Sequence, residues 1–310
     1  MTTSTQQEQS ATITERFTSG GVTCHATHVP ARSDALTTAA GRPVVVLAHG
    51  LAGTVDSGLL PFAEGFADAG LDAFAFDYRG FGASEGSPRQ RVRIEDQVAD
   101  LHAAIDAARA LPGVDPDRVA LWGVSLAGGH VIRVAAERDD VAAVVAVVPM
   151  VDGLAAAAQA AKTHRPTELL RATGRGVRGR IAGRLGLGEV TMPVVAAPGK
   201  LGALTLPGAE EDYLAIAGPT WRNVVHADVG LELGGRKPLQ LAGQVTAPLL
   251  VQIADFDRSA PPQAAANAAF AAKAQVRHYP CDHFDIFAPK PWHGAALQHA
   301  TSFLSRALAR

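Results

Sequence analysis

From Pro43 onward the chain alternates short runs that are apolar at every position with longer amphipathic segments, and this rhythm limits its fold more than any other feature. A strand that is apolar throughout, rather than at every second residue, must be covered on both faces, and the intervening helices supply the cover. The spacing predicts strands over 44–48, 73–76, 119–122, 141–148, 248–253 and 275–279. Between them it predicts helices over 59–69, 94–111, 126–138, 261–272 and 292–308, with a Pro- and Gly-marked turn at 112–116. Ahead of this series, residues 13–30 carry two strand-like stretches about Gly20-Gly21, a hairpin at a sheet edge. The expected class is therefore α/β, a mostly parallel sheet with helices on both faces. Between about 150 and 245 the rhythm breaks into a segment rich in glycine and arginine. This divides the chain into a core of 1–149 plus 246–310 and an inserted cap or lid at 150–245.

Charge and cysteine content narrow the function classes. The 310 residues hold 28 Lys and Arg against 30 Asp and Glu, a net charge of −2, which gives no global footprint for nucleic acid or an anionic membrane. Cys24 and Cys281 are far apart and lack any C-x-x-C or Cys/His spacing, so reduced thiols and no metal site are expected. Residues 1–10 are polar, without the apolar core of a signal peptide, and read as a frayed tail. The longest apolar run, 141–151, falls short of the roughly 20 residues that span a bilayer. The expectation is a cytoplasmic chain with a small-molecule substrate and neither a nucleic-acid nor a membrane partner. The sequence sets no oligomeric state.

The chemistry concentrates at strand ends. Trp122-Gly123-Val124-Ser125-Leu126-Ala127-Gly128-Gly129 follows an apolar strand and opens a helix, the context of a nucleophile elbow, where small neighbours let a serine hydroxyl stand exposed on a tight turn. A serine that merely caps the helix is the alternative. His49-Gly50-Leu51 ends the first core strand, and the N–H groups of Leu51 and Leu126 can together form the two-donor oxyanion hole that acyl transfer needs. The next strand ends in Phe76-Asp77-Tyr78-Arg79-Gly80-Phe81-Gly82-Ala83-Ser84. On these motifs the chain resembles the α/β-hydrolase superfamily of serine esterases, in which a D-x-R-G-x-G-x-S stretch serves as scaffold; the likeness extends over most of the chain from Val44.

That resemblance implies the chain order nucleophile, acid, base. Asp257, in Ala254-Asp255-Phe256-Asp257-Arg258-Ser259-Ala260-Pro261, matches the superfamily's acid loop, with Asp255 as a competitor. His283, in Tyr279-Pro280-Cys281-Asp282-His283-Phe284, lies between the last strand and the last helix, where the base is expected; His278 falls inside the strand, and His293 and His299 in the final helix. Cys281 is read as packing. The implied reaction is two-step acyl transfer, with Ser125 attacking, His283 taking its proton and Asp257 orienting the imidazole, and it needs no cofactor.

The insertion carries Lys162, Arg165, Arg171, Arg175, Arg178, Arg180 and Arg184 against the single acid Glu168. Such a run is ordinarily a solvated helical face; the sharper expectation is that one or two arginines pair with a substrate carboxylate. Residues 193–199 and 221–223 resemble monoalkyl phthalate hydrolases of actinobacterial type. This implies an anionic aromatic monoester as substrate, with His49, Gly50, Trp221 and Asn223 as substrate-binding candidates. Carbon–carbon bond hydrolysis and amide or peptide hydrolysis use the same machinery, and a non-catalytic small-molecule receptor remains the reading outside enzymes. The glycines between Gly174 and Gly188 predict a mobile lid.

Overall fold

The computed structural model describes residues 12–309, so the expected tail at 1–10 lies outside the described residues. Gly20 and Gly21 take φ values of 57° and 79°, the positive region that a two-residue hairpin turn demands and that glycine enters freely. They join β1 (Ile13–Ser19) to β2 (Val22–Val29) in antiparallel register, Ser19 opposite Val22. The alternating series follows: β3 (Arg42–Ala48), α1 (Leu60–Asp68), β4 (Asp72–Phe76), α2 (Ile94–Arg109), β5 (Val114–Val124), α3 (Leu126–Glu137) and β6 (Ala143–Val147). After the insertion it resumes with β9 (Leu249–Ala254), α8 (Pro262–Ala271), β10 (Gln275–Tyr279) and α9 (His293–Leu308).

Eight strands form one sheet in the order β1-β2-β4-β3-β5-β6-β9-β10. The hairpin strand β2 is antiparallel to β4, and every pairing from β4 through β10 is parallel. Strands β4, β6 and β9 are buried at every position, as two-sided cover requires. At the edge, β10 leaves Gln275, Arg277 and His278 exposed. Most boundaries fall within two residues of expectation, but β5 begins at Val114, inside the stretch expected to be a turn. A register shift between Arg42 and Val44 lets Val114 pair with Arg42 before the regular ladder starts at Val119.

The strand order places the site. From β3 the chain steps by α1 to β4 on one side; from β4 it crosses by α2 to β5 on the other side of β3. The carboxyl ends of β3 and β5 thus flank a topological switch point, the crevice where open α/β sheets take ligands.

Residues between β6 and β9 fold into α4 (Gly153–Thr163), α5 (Pro166–Leu185), β7 (Thr191–Met192), α6 (Ala209–Ile216), β8 (Val225–His226), α7 (Val229–Gly234) and a 3-10 turn (Pro238–Gln244). Asp152 caps α4 by accepting from the N–H groups of Leu154 and Ala155. Four glycines expected to loosen this region, Gly174, Gly176, Gly179 and Gly183, lie inside the continuous helix α5. A Cβ at Gly176 would stand 3.0 Å from the Ala227 carbonyl oxygen, so its absence lets α5 seat closely on the segment ahead of α7. Gly186 ends the helix at φ 67°, the left-handed cap glycine favours. Among the described residues, no helix is long and apolar enough to cross a membrane.

Candidate active site

Ser125 sits between β5 and α3 at φ 57°, ψ −118°. For a residue with a Cβ this backbone costs on the order of 1–3 kcal/mol and persists only when its surroundings hold it. Here the Ser125 N–H donates to the Val147 carbonyl (2.9 Å), and the Ser125 carbonyl accepts from Gly128 (3.0 Å) and Met150 (2.9 Å). Crowding explains the small neighbours: a Cβ at Gly50 would lie 3.0 Å from that of Ser125, and one at Gly123 would collide with the Ala127 carbonyl. The Ser125 hydroxyl makes no capping bond to α3. It lies 3.0 Å from His283 Nε2 instead.

His283 opens a 3-10 turn (His283–Ile286) after β10, and Asp257 lies just beyond β9; the two loops are neighbours because β9 and β10 pair in parallel. The His283 Nδ1 is 2.7 Å from Asp257 Oδ2. Asp257 Oδ1 accepts from the N–H groups of Ser259 and Ala260, each at 2.7 Å. Asp282 braces both loops, accepting from the N–H groups of Arg258 (3.0 Å) and His283 (2.8 Å). The competing carboxylate Asp255 pairs with His278 at 2.7 Å on the exposed edge. His293 Nδ1 meets the Ile286 carbonyl and His299 the Tyr279 hydroxyl, and neither bonds Ser125.

Burial alone pushes the His283 pKa down, but the charge of Asp257 and its hydrogen bond outweigh this and hold the value above the ordinary 6.5. A base must be neutral to accept a proton, so kcat/KM is expected to fall as pH drops through a midpoint above about 6.5. The stability linkage has the opposite sense: this pair's contribution is full below His283's unfolded pKa and is lost as pH rises through the raised folded value. A pH profile of kcat/KM, with melting temperatures measured over the same range, checks both signs.

Leu51 follows β3, and its N–H finds no backbone acceptor among the described residues. Leu126, the first residue of α3, contributes one of the N–H groups that a helix start leaves free. From α6, the Tyr213 hydroxyl donates to the Leu51 carbonyl at 2.7 Å. Burial raises the pKa of that phenol, keeping it a donor. His49 is buried, its pKa lowered by desolvation; Nδ1 donates to the Gly50 carbonyl (3.0 Å) and the ring meets Tyr78 edge-on at 4.7 Å. With Gly50, it borders a void of about 30 Å³ beside Ser125 and Leu51.

A larger cavity of about 440 Å³ opens over Ser125, Leu126 and His283. Its wall is mainly apolar and comes largely from the insertion, with Leu169, Met192, Leu204 and Leu231 among its side chains. His164 and Thr205 give it a polar spot, Nε2 to Oγ1 at 2.8 Å. None of the seven cations between Lys162 and Arg184 lines it. Arg258 does, but its guanidinium is paired with Asp282 at 2.5 Å. Trp221 and Asn223 do not line it either. Trp221 stacks on Tyr213 with ring centroids 5.0 Å apart, and Asn223 brackets the Val195 backbone, accepting from its N–H (2.9 Å) and donating to its carbonyl (3.0 Å). Both brace the insertion.

Tyr213, His164 and Thr205 went unmarked in the sequence. Each matters through a partner far away in the chain, and no local motif signals that. Asp77, expected to be scaffold, accepts from the N–H groups of Val55 and Ala83, while Arg79 binds Asp100. Burial raises the Cys281 thiol to about 12, which keeps it protonated and unreactive.

Known proteins resemble this chain to different extents. The family described as Hydrolase_4 (serine aminopeptidase, S33) matches residues 39–283. The quorum-quenching protein AidA of Acinetobacter baumannii is 35% identical over 254 residues, covering 81% of this chain and 82% of that protein. The thiohydrolase aneE of Aspergillus aculeatus is 38% identical over 114 residues, 36% of either chain. In structure, the α/β-hydrolase GrgF from Penicillium superposes with a TM-score of 0.78 at 22% identity, covering 97% of this chain and all of that one. The chain has the α/β-hydrolase fold and belongs to the Hydrolase_4 (serine aminopeptidase, S33) family of hydrolases.

Proposed function

We propose that this chain is a serine hydrolase that cleaves uncharged carboxylic esters with an apolar acyl part. The observation that carries the reading is the hydrogen-bonded series Ser125, His283, Asp257 opening onto a mainly apolar cavity. Ser125 Oγ attacks the ester carbonyl while its proton passes to His283 Nε2. The imidazolium so formed is held by Asp257, and the oxyanion is met by the N–H groups of Leu51 and Leu126. His283 returns the proton to the departing alcohol. Water, deprotonated by the same nitrogen, then releases the acid. Residues 150–245 act as the cap that shapes the acyl pocket. The apolar wall favours substrates held by area rather than by charge.

The basic run in the sequence suggests a second reading, an anionic aromatic monoester such as a monoalkyl phthalate, although none of its seven cations lines the cavity. That reading needs a free cation in the cavity, and the one arginine among the described residues on its wall is neutralised by Asp282. Carbon–carbon and amide hydrolysis would use the same three side chains. Thioesters belong in the panel because relatives are named thiohydrolases.

The test is a fluorophosphonate probe followed by substrates. Labelling is expected, with p-nitrophenyl hexanoate cleaved at a kcat/KM at least about tenfold above that of monohexyl phthalate. No labelling would sink the hydrolase mechanism. A monohexyl phthalate turned over faster than its neutral dihexyl ester would transfer the substrate assignment to the anionic class.

A further inference from the structure

Helix α5 buries Gly176 and Ala182 and leaves several of its large apolar side chains exposed. Leu170, Val177, Ile181 and Leu185 are 74%, 44%, 52% and 65% exposed, and Leu187, just past the helix, is 73% exposed. At about 100° per residue, the four helical side chains fall within an arc of roughly 80°. The same spacing sets Arg171 and Arg178 along one edge of this stripe and Arg180 and Arg184 along the other. Arg180 lies 3.7 Å from Glu232; the side chains of Arg171, Arg178 and Arg184 meet no acid among the described residues. The inner side of the helix, including Leu169, Ala172 and Gly176, lines the cavity over Ser125.

Monomeric proteins seldom leave such a stripe bare, and what covers it must be apolar at its centre and negative at its edges. A second copy of the chain is ill matched, because seating stripe on stripe brings arginines against arginines. Nucleic acid offers the charge but leaves the leucines in water. An anionic phospholipid surface meets both demands: the apolar arc enters the boundary between headgroups and acyl chains while the flanking guanidiniums bind phosphates. We propose that the outer face of α5 docks this protein on anionic lipid surfaces. The near-neutral total hides the device, since the positive charge is local. This inference concerns association alone and does not rest on the ester-hydrolase reading.

The test is co-sedimentation of the whole chain with vesicles. Equimolar phosphatidylglycerol and phosphatidylcholine are expected to bind it at least about tenfold more strongly than phosphatidylcholine alone, with binding weakening as NaCl rises from about 50 to 300 mM. Ile181→Ser combined with Leu185→Ser should lower partitioning about tenfold, as should Arg171→Gln, Arg178→Gln and Arg184→Gln together. These side chains are exposed, and circular dichroism melts verify that the variants keep the fold. Equal binding to neutral and anionic vesicles, or binding to neither, overturns the proposal. A dimer in sedimentation velocity that the two serine substitutions dissolve also overturns it, in favour of a second copy. Single-stranded DNA held as tightly as the anionic vesicles, with no loss in the serine variant, overturns it in favour of nucleic acid. None of these readouts requires turnover, so they stand or fall apart from the ester assay.

Discussion

Ser125→Ala is expected to lower ester turnover by at least about a thousandfold, approaching a millionfold, with fluorophosphonate labelling lost altogether. The residual rate would come from the Leu51 and Leu126 donors and from binding, which the substitution leaves in place. Alanine fits the site without collision, since it retains the Cβ that already occupies this strained backbone and removes only the oxygen 3.0 Å from His283. A melting temperature close to that of the wild type would locate the loss in chemistry rather than in folding. Should turnover survive while labelling is lost, a second nucleophile would have to be found, and Cys281 is a poor candidate with its thiol raised to about 12.

The second large effect is expected at Asp257→Asn, about ten-thousandfold in kcat. The reason lies in the two N–H groups of Ser259 and Ala260, which both donate to Oδ1. In the variant, those donors keep the amide oxygen on their side and turn the NH2 toward His283. Imidazole Nδ1 must then accept instead of donate, which moves its proton to Nε2. An imidazole protonated at Nε2 cannot take a proton from Ser125, although every heavy atom stays in place. Asp255→Asn serves as the control because that carboxylate binds His278 on the exposed sheet edge. A loss in Asp255→Asn that matches the about ten-thousandfold expected for Asp257→Asn, with little loss in the latter, would mean that the orienting carboxylate has been misassigned between them.

What the sequence disclosed follows from how local each signal is. A buried parallel strand needs an unbroken apolar run, so the central strands were readable from residue type alone, whereas the start of β5 depended on a bulge opposite Arg42 that no local pattern announces. Ser125 stood out because strand, tight turn and helix are contiguous in the chain. Asp257 and His283 are 26 residues apart, yet both follow strands of the alternating series, so the topology brings their loops together. The cavity wall was not readable. It is assembled largely from α4, α5, β7, the loop before α6 and α7, and most of its residues are ordinary core types that carry no chemical marker. Trp221 and Asn223 attracted notice for their side-chain chemistry, and their contacts are with Tyr213 and the Val195 backbone. The arginine run was visible as charge, but its direction was not. That direction shows in Gly176 and Ala182, the two residues of α5 that are buried against the rest of the chain.

The hydrogen bond from Tyr213 to the Leu51 carbonyl bears on how such enzymes can be altered. Exchanging residues 150–245 for the corresponding stretch of a relative looks like a clean way to graft a new selectivity onto an unchanged reaction centre. In this chain the graft would also delete the phenol that restrains the loop of Leu51, the residue proposed to carry one oxyanion donor. On the proposed roles, selectivity and rate are mechanically linked, and a chimera is expected to bring its own tether for Leu51 or lose speed along with its old preference.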